Sequence, residues 1–190
     1  MNSIKKRILF VALDAFSRRN GSARLAWLVS LLPCGITVDL LRHYGARVSD
    51  NVGIEPGLVL HRLKLPIANL ILGKSVYLGT GVLLDLSARI AISDDAGVGA
   101  RTQLITHVGD YTYDRSDERE RVAPIQIGKA VIVYSNCIIG PGVNIGDYAR
   151  VGAGSIVLKD VPPYSFVAGV PAKFIRDRRE SLGRLSVGRL

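Results

Sequence analysis

Between Ile127 and Val161 the chain places an aliphatic side chain at every sixth position: Ile127, Val133, Ile139, Ile145, Val151 and Val157. Four residues after each stands a small or β-branched one, namely Val131, Cys137, Val143, Ala149, Ser155 and Val161. A helix would need apolar spacings of three and four, and a hairpin would need alternation broken by turn pairs, so neither accounts for a period of six. Short strands joined by tight corners do account for it. Each hexad then forms one flat side of a coil, its aliphatic points inward, and equivalent positions stack on the next coil at the spacing of paired strands. Glycine follows the aliphatic in Ile127-Gly128, Ile139-Gly140, Ile145-Gly146 and Val151-Gly152, where its backbone freedom suits a corner. The pattern predicts an all-β parallel solenoid.

The rhythm continues upstream with interruptions. Val48, Ile54 and Leu60 fit it, Leu72 and Leu78 resume it, and Ile92, Val98 and Leu104 carry it on after a two-residue slip. The segment from Val108 to Pro124 is polar and charged, which a packed coil cannot bury, so it reads as a loop ejected from the solenoid. Three parts follow: a helical N-terminal cap over 1–45, the solenoid over 46–162 with its loop at 108–124, and a C-terminal segment over 163–190. Within the cap, Ile4 to Phe16, Ala23 to Leu32 and Thr37 to His43 read as helical. Pro162-Pro163 ends the array, and Pro171 to Leu190 reads as a short helix trailing into a basic tail.

Composition sharpens this. Nearly half the residues are apolar while only 6% are aromatic, so Val, Ile, Leu and Ala must fill the core. Two cysteines, Cys34 and Cys137, are too few for a disulfide framework. Lys5, Lys6 and Arg7 precede an apolar run that Asp14 stops early, with no small-residue cleavage site, so a cytoplasmic location is expected. No stretch reaches the roughly 20 apolar residues that cross a bilayer, although Ala23 to Leu32 could lie flat on one, a peripheral contact. The formal charge of +9 invites an anionic partner, but the basic clusters lack interleaved aromatics, which argues against nucleic acid.

Of the three histidines, His43 and His61 read as surface or packing residues. His107 ends a clean repeat run where the charged loop departs, so stacked strands would hold its imidazole beside an open wall. There it is either a general base, taking a proton from an attacking hydroxyl or amine, or a satisfied loop-edge residue. Asp85, in the apolar run Val82 to Leu86 about one coil earlier, could bind an acceptor, orient the ring, or face solvent at a corner.

The segments ILGKSVYLGTGVLLDLSARIAIS, Thr106-His107 and PIQIGKAVIVYSNCIIGPGVNIGDYARVGAGSIVLKDVPPYSFVAGVPAKFIR resemble the hexapeptide-repeat acyltransferases. The similarity covers about Leu70 to Arg176 and is closest to the maltose, galactoside and nodulation acetyltransferases and the O-acetyltransferases of surface-polysaccharide synthesis. The resemblance implies a left-handed β-helix, a hand that period six does not dictate, and homotrimers with acetyl-CoA bound between subunits as acyl donor, without a metal. It implies His107 as catalytic base, Asp85 as the substrate-binding carboxylate, and Cys137, Ser155, Leu158, Lys159, Lys173 and Arg176 as lining the acetyl-CoA site. The chain departs from the family at Ile132-Val133-Tyr134, where Trp-Ile-Gly is usual, at Leu78, where an acceptor-site asparagine is common, and at His107-Val108-Gly109.

The leading expectation is an acetyl-CoA-dependent O-acetyltransferase acting on a sugar or on a polysaccharide or glycolipid precursor. The same site could serve an amino sugar nucleotide or serine. An inactive trimeric scaffold is a further class. A zinc-dependent carbonic anhydrase on this solenoid would need three converging histidines.

Overall fold

The computed structural model describes residues 9–15, 25–26, 29–110 and 119–179. Fifteen short strands wind into five three-sided coils. The first coil is β1 (Arg47–Val48), β2 (Gly53–Ile54) and β3 (Val59–His61); the second is β4 (Leu70–Leu72), β5 (Tyr77–Leu78) and β6 (Leu83–Asp85). The third comprises β7 (Ile90–Ile92), β8 (Gly97–Val98) and β9 (Gln103–Leu104). A two-stranded antiparallel hairpin, β10 (His107–Asp110) with β11 (Arg119–Val122), then leaves the body. Two further coils follow: β12 (Ile125–Ile127), β13 (Ile132–Val133) and β14 (Ile138–Ile139), then β15 (Asn144–Ile145), β16 (Arg150–Val151) and β17 (Ile156–Val157).

Along each side the strands pair in parallel, in the orders β1-β4-β7-β12-β15, β2-β5-β8-β13-β16 and β3-β6-β9-β14-β17. These are called sides A, B and C. The architecture is a parallel β-solenoid, as expected of a left-handed β-helix.

The hexad aliphatics form three stacked inward columns. Val48, Leu72, Ile92, Ile127 and Ile145 are in register on side A; Ile54, Leu78, Val98, Val133 and Val151 on side B; Leu60, Leu84, Leu104, Ile139 and Val157 on side C. All but partly buried Val48 lie in the core, where full burial of such a side chain is worth about 1.5–3 kcal/mol.

The corner glycines have a different reason from the one the sequence suggests. Gly99 does not need a left-handed backbone; a Cβ there would lie 2.6 Å from the Ser135 nitrogen on the next coil. At Gly146 it would meet the Pro163 nitrogen at 2.5 Å. Close approach of successive coils excludes the side chain. The corner positions that do take positive φ are mostly not glycine: Ser75, Asp95, Ala130 and Tyr148 have φ of 55°, 61°, 51° and 62°.

Both ends are covered. At the N-terminal end α1 (Cys34–His43) starts three residues earlier than expected and packs on β1 and β2, burying Leu40 and Leu41. Residues 9–15 are helical and bury Leu13, as are 25–26, which bury Leu25. In the second expected helix residue 29 is helical and 30–32 form a turn and bend, and the rest of the two expected helices preceding α1 lies outside the described residues. Among the described residues no helix is long and apolar enough to cross a membrane.

At the other end the expectation of a helix is overturned. A sixth coil begins at Val161, bridged to Ile145, and continues as β18 (Ser165–Gly169) beside β16. The chain reverses at Gly169, φ 107°, and returns as β19 (Ala172–Asp177), antiparallel to β18. An open strand edge is a strong template for pairing, and it imposes strand on residues 172–177 whatever their helical preference. Residues 180–190 of the expected helix and tail lie outside the described residues.

Candidate active site

Three departures from the six-residue rhythm fall at one corner, between sides C and A. Six extra residues separate Leu60 from Leu72, two extra separate Leu84 from Ile92, and the hairpin is inserted after Leu104. Because these strands are stacked, the residues entering each break are neighbours in space: His61, then Asp85 with Ser87, then Thr106 and His107. The strand register sets His61 directly opposite Asp85.

The Asp85 side chain points out of the coil and is nevertheless fully buried, because the others close over it. Its Oδ2 accepts from the backbone N–H of Thr106 at 2.8 Å, from that of His107 at 2.9 Å and from the His107 ring at Nδ1 at 2.5 Å. Oδ1 accepts from the Ser87 hydroxyl at 2.7 Å. The Thr106 hydroxyl lies 2.7 Å from the Asp85 carbonyl oxygen and 3.0 Å from Oδ2, and accepts from the Ala88 N–H at 3.0 Å. Burial opposes ionisation of Asp85. The donors from His107, Ser87 and Thr106 outweigh it and hold the carboxyl well below the usual carboxylate range.

An ionised Asp85 surrounded by donors fixes the imidazole of His107. Nδ1 must carry the proton it shares with the carboxylate, which leaves Nε2 as a bare acceptor on the far side of the ring. The His107 side chain is 16% exposed, so the ring is held yet reachable. An imidazole with an anchored Nδ1–H and a free Nε2 is the arrangement that accepts a proton from a hydroxyl and stabilises the resulting imidazolium.

The reading of His61 as a surface or packing residue does not survive. Its ring stacks on His107, with centroids 5.4 Å apart and planes at 19°, and its Nδ1 lies 3.5 Å from Asp85 Oδ1. The six-residue insert that follows it stretches this coil from 18 residues to 24, which hides the alignment from a count of one regular coil. His43 does lie elsewhere, on α1 against Asp14 at 3.1 Å and stacked on Phe10.

His61, Asp85 and His107 offer ligand atoms within 4.8 Å of one another, a possible cation set. Their chemistry argues against that use, since His107 Nδ1 and both Asp85 oxygens are engaged in hydrogen bonds. The three converging histidines that a zinc hydratase needs are not assembled among the described residues.

The residues expected to line a cofactor site divide into two groups. Cys137 and Ser155 are sealed in the core at the corner between sides B and C. Cys137 Sγ donates to the Gly152 carbonyl at 3.1 Å, and burial raises its thiol pKa. Ser155 Oγ donates to the same carbonyl at 2.6 Å and accepts from the Gly169 N–H. In the single chain neither presents surface to a ligand. Leu158, Lys159, Lys173 and Arg176 are exposed. Leu158 and Lys159 lie in the corner column of His107, two coils further on, and Lys173 and Arg176 lie on β19 beyond the last full coil. The structure therefore does not bring these four to His107; Lys173 lies on β19, four strands beyond β8 of the coil that ends at His107, ~19 Å along the axis. Between the two positions side C exposes a partly buried apolar strip, Ile138 and Ile156.

Residues 124–159 match the family described as bacterial transferase hexapeptide (six repeats). The chain is 30% identical over 140 residues to galactoside O-acetyltransferase of Escherichia coli K12, covering 73% of this chain and 67% of that protein. It is 32% identical over 142 residues to an E. coli protein provisionally assigned as the colanic acid biosynthesis acetyltransferase WcaF, covering 75% of each. Among solved structures, the hexapeptide-repeat-containing acetyltransferase VCA0836 of Vibrio cholerae, complexed with acetyl coenzyme A, superposes with a TM-score of 0.61 at 26% identity, over 81% of this chain and 83% of that one. The chain belongs to the hexapeptide-repeat acyltransferase family.

Proposed function

We propose that the protein transfers acetyl from acetyl-CoA to a hydroxyl of a sugar, or of a polysaccharide or glycolipid precursor, with His107 as the general base. The observation that carries the reading is the Asp85–His107 pair, in which a buried carboxylate holds Nδ1 at 2.5 Å and leaves Nε2 free. Nε2 takes the hydroxyl proton as the oxygen attacks the thioester carbonyl, the tetrahedral intermediate collapses, and the CoA thiolate leaves and recovers a proton. Of the roles open to Asp85, orienting the ring fits its burial, because no acceptor can reach its oxygens while Ser87, Thr106 and His107 occupy them.

Acetyl-CoA as donor is supported by the V. cholerae relative, which carries it, and by the open strip of side C. Ile138, Ile156 and exposed Leu158 can flank an extended pantetheine arm that reaches His107. Lys173 and Arg176, exposed at the end of the solenoid, can meet the CoA phosphates. A sugar hydroxyl as acceptor draws on the galactoside and colanic acid relatives. Assembly as a homotrimer, with the site closed by a neighbouring subunit, completes the reading and is tested by light scattering on the purified protein.

Replacing His107 with Ala tests the mechanism. Acetyl transfer should fall by on the order of 10²–10⁴-fold while the particle mass stays unchanged, and the melting temperature should drop because buried Asp85 loses a donor. Full turnover in that variant would remove His107 from the chemistry.

A further inference from the structure

We propose that His61 is an acceptor-binding residue, and that the pair His61–His107 selects acceptors carrying two neighbouring hydroxyl groups. The inference rests on the O-acetyltransferase reading and narrows its substrate class to a diol. Both imidazoles turn Nδ1 toward one carboxylate, His107 at 2.5 Å from Oδ2 and His61 at 3.5 Å from Oδ1. Their planes are within 19° of parallel, and on each ring Nε2 lies on the edge away from the Nδ1 that faces Asp85. The two stacked rings, 5.4 Å apart between centroids, thus each keep one nitrogen that is not turned to the carboxylate. Each reaches a hydroxyl oxygen at a hydrogen-bond length of ~2.8 Å, and two such contacts converging from that separation span neighbouring hydroxyls of one sugar ring. His107 takes the proton of the attacking oxygen, and His61 holds the adjacent one.

The exposure of the two rings fits this division. His107 is 16% exposed and anchored, whereas His61 is 50% exposed with its far edge in solvent. The core does not need His61: the inward residue of its strand is Leu60, and its outward neighbour Val59 is itself exposed. A lone hydroxyl or a lone amine would satisfy only one of the two rings, which favours a polyol over serine.

The test uses methyl β-galactopyranoside and methyl α-glucopyranoside as acceptors, together with the monodeoxy analogues of whichever is acetylated. For the wild-type protein, one deoxy analogue should lose on the order of tenfold in kcat/KM, the value of one hydrogen bond. His61→Ala should lose a similar factor on the parent glycoside, mainly in KM for the glycoside, and nothing further on that analogue. The KM for acetyl-CoA should not change, and His61→Gln, which restores a polar group near the Nε2 position, should recover part of the loss. Wild-type kcat/KM in His61→Ala on the parent and on all analogues, with His107→Ala inactive, would overturn this proposal alone. Acetylation of neither glycoside by wild-type protein that still releases CoA to water would overturn the sugar reading and this proposal together.

Discussion

The coils from Ile125 to Val157 and the corner between sides C and A of the earlier coils are built from the same hexads, yet they do opposite work. In the later coils Ile139 pairs with Val157, eighteen residues on, every inward strand position is aliphatic, Cys137 and Ser155 fill corners, and nothing titratable is buried but Cys137. At the earlier corner Leu60 pairs with Leu84 after 24 residues, Leu84 with Leu104 after 20, and Leu104 with Ile139 after 35. Each lengthened step lets the chain leave the coil and present polar side chains, and the unbroken strands on either side hold them in place. The regular repeat supplies rigidity, and its interruptions supply the site.

Asp85→Asn probes the interrupted corner and should give the largest effect. The amide keeps the shape but removes the charge and faces the Thr106 and His107 N–H groups with a weaker acceptor. It also frees the ring tautomer of His107. Stability should fall by about 2–4 kcal/mol in chemical denaturation, and turnover by on the order of 10²-fold. The loss should depend on pH. The folded-state pKa of Asp85 lies below the unfolded value of about 3.9, so its contribution is complete above that value and is lost as pH falls toward and through the folded one. The stability curves of the wild-type protein and the Asp85→Asn variant should therefore stay parallel above about pH 5 and draw together as pH falls below about 4.

In the regular region Gly99→Ala comes next. The added methyl would press on the Ser135 nitrogen and the Tyr134 carbonyl carbon at 2.6 and 2.7 Å, backbone atoms that cannot turn aside. Denaturation should show a loss of about 2–3 kcal/mol with acceptor specificity intact, since no site residue is touched. The smallest change is Ala130→Gly. Ala130 has φ of 51° in a corner that glycine adopts freely, so the substitution should stabilise by up to about 1 kcal/mol. A destabilisation there would show that the corner depends on the methyl group and that the coils are not interchangeable units.

Period six makes the core legible from sequence, because an inward column tolerates only aliphatics of similar size and the pattern survives without any alignment. Val48, Ile54 and Leu60 fall in the register they occupy despite the insert after them. His107 is visible because it stands where the repeat gives way to charge. His61 is not, because the insert Arg62–Ile67 lengthens its coil from 18 residues to 24, so a count of one regular coil lands on Gly79 and only the stacked register puts it opposite Asp85. The role of Asp85 is ambiguous in the sequence for a related reason: an outward position on a strand is ordinarily solvated, and its burial comes from groups that lie on neighbouring coils. The strand at 172–177 escapes a sequence reading since it is imposed by the open edge of β18, a feature of the assembled solenoid rather than of the local sequence.

All of the proposed chemistry depends on Asp85 locking the His107 ring with its proton on Nδ1 and its Nε2 bare. Long-range ¹H–¹⁵N correlation spectra of the His107 ring, recorded where the imidazole is neutral, read this directly. Such a lock predicts a protonated Nδ1 and an Nε2 shift typical of an unprotonated nitrogen, both lost in Asp85→Asn. A ring protonated at Nε2, or one that samples both tautomers in the wild-type protein, would contradict it.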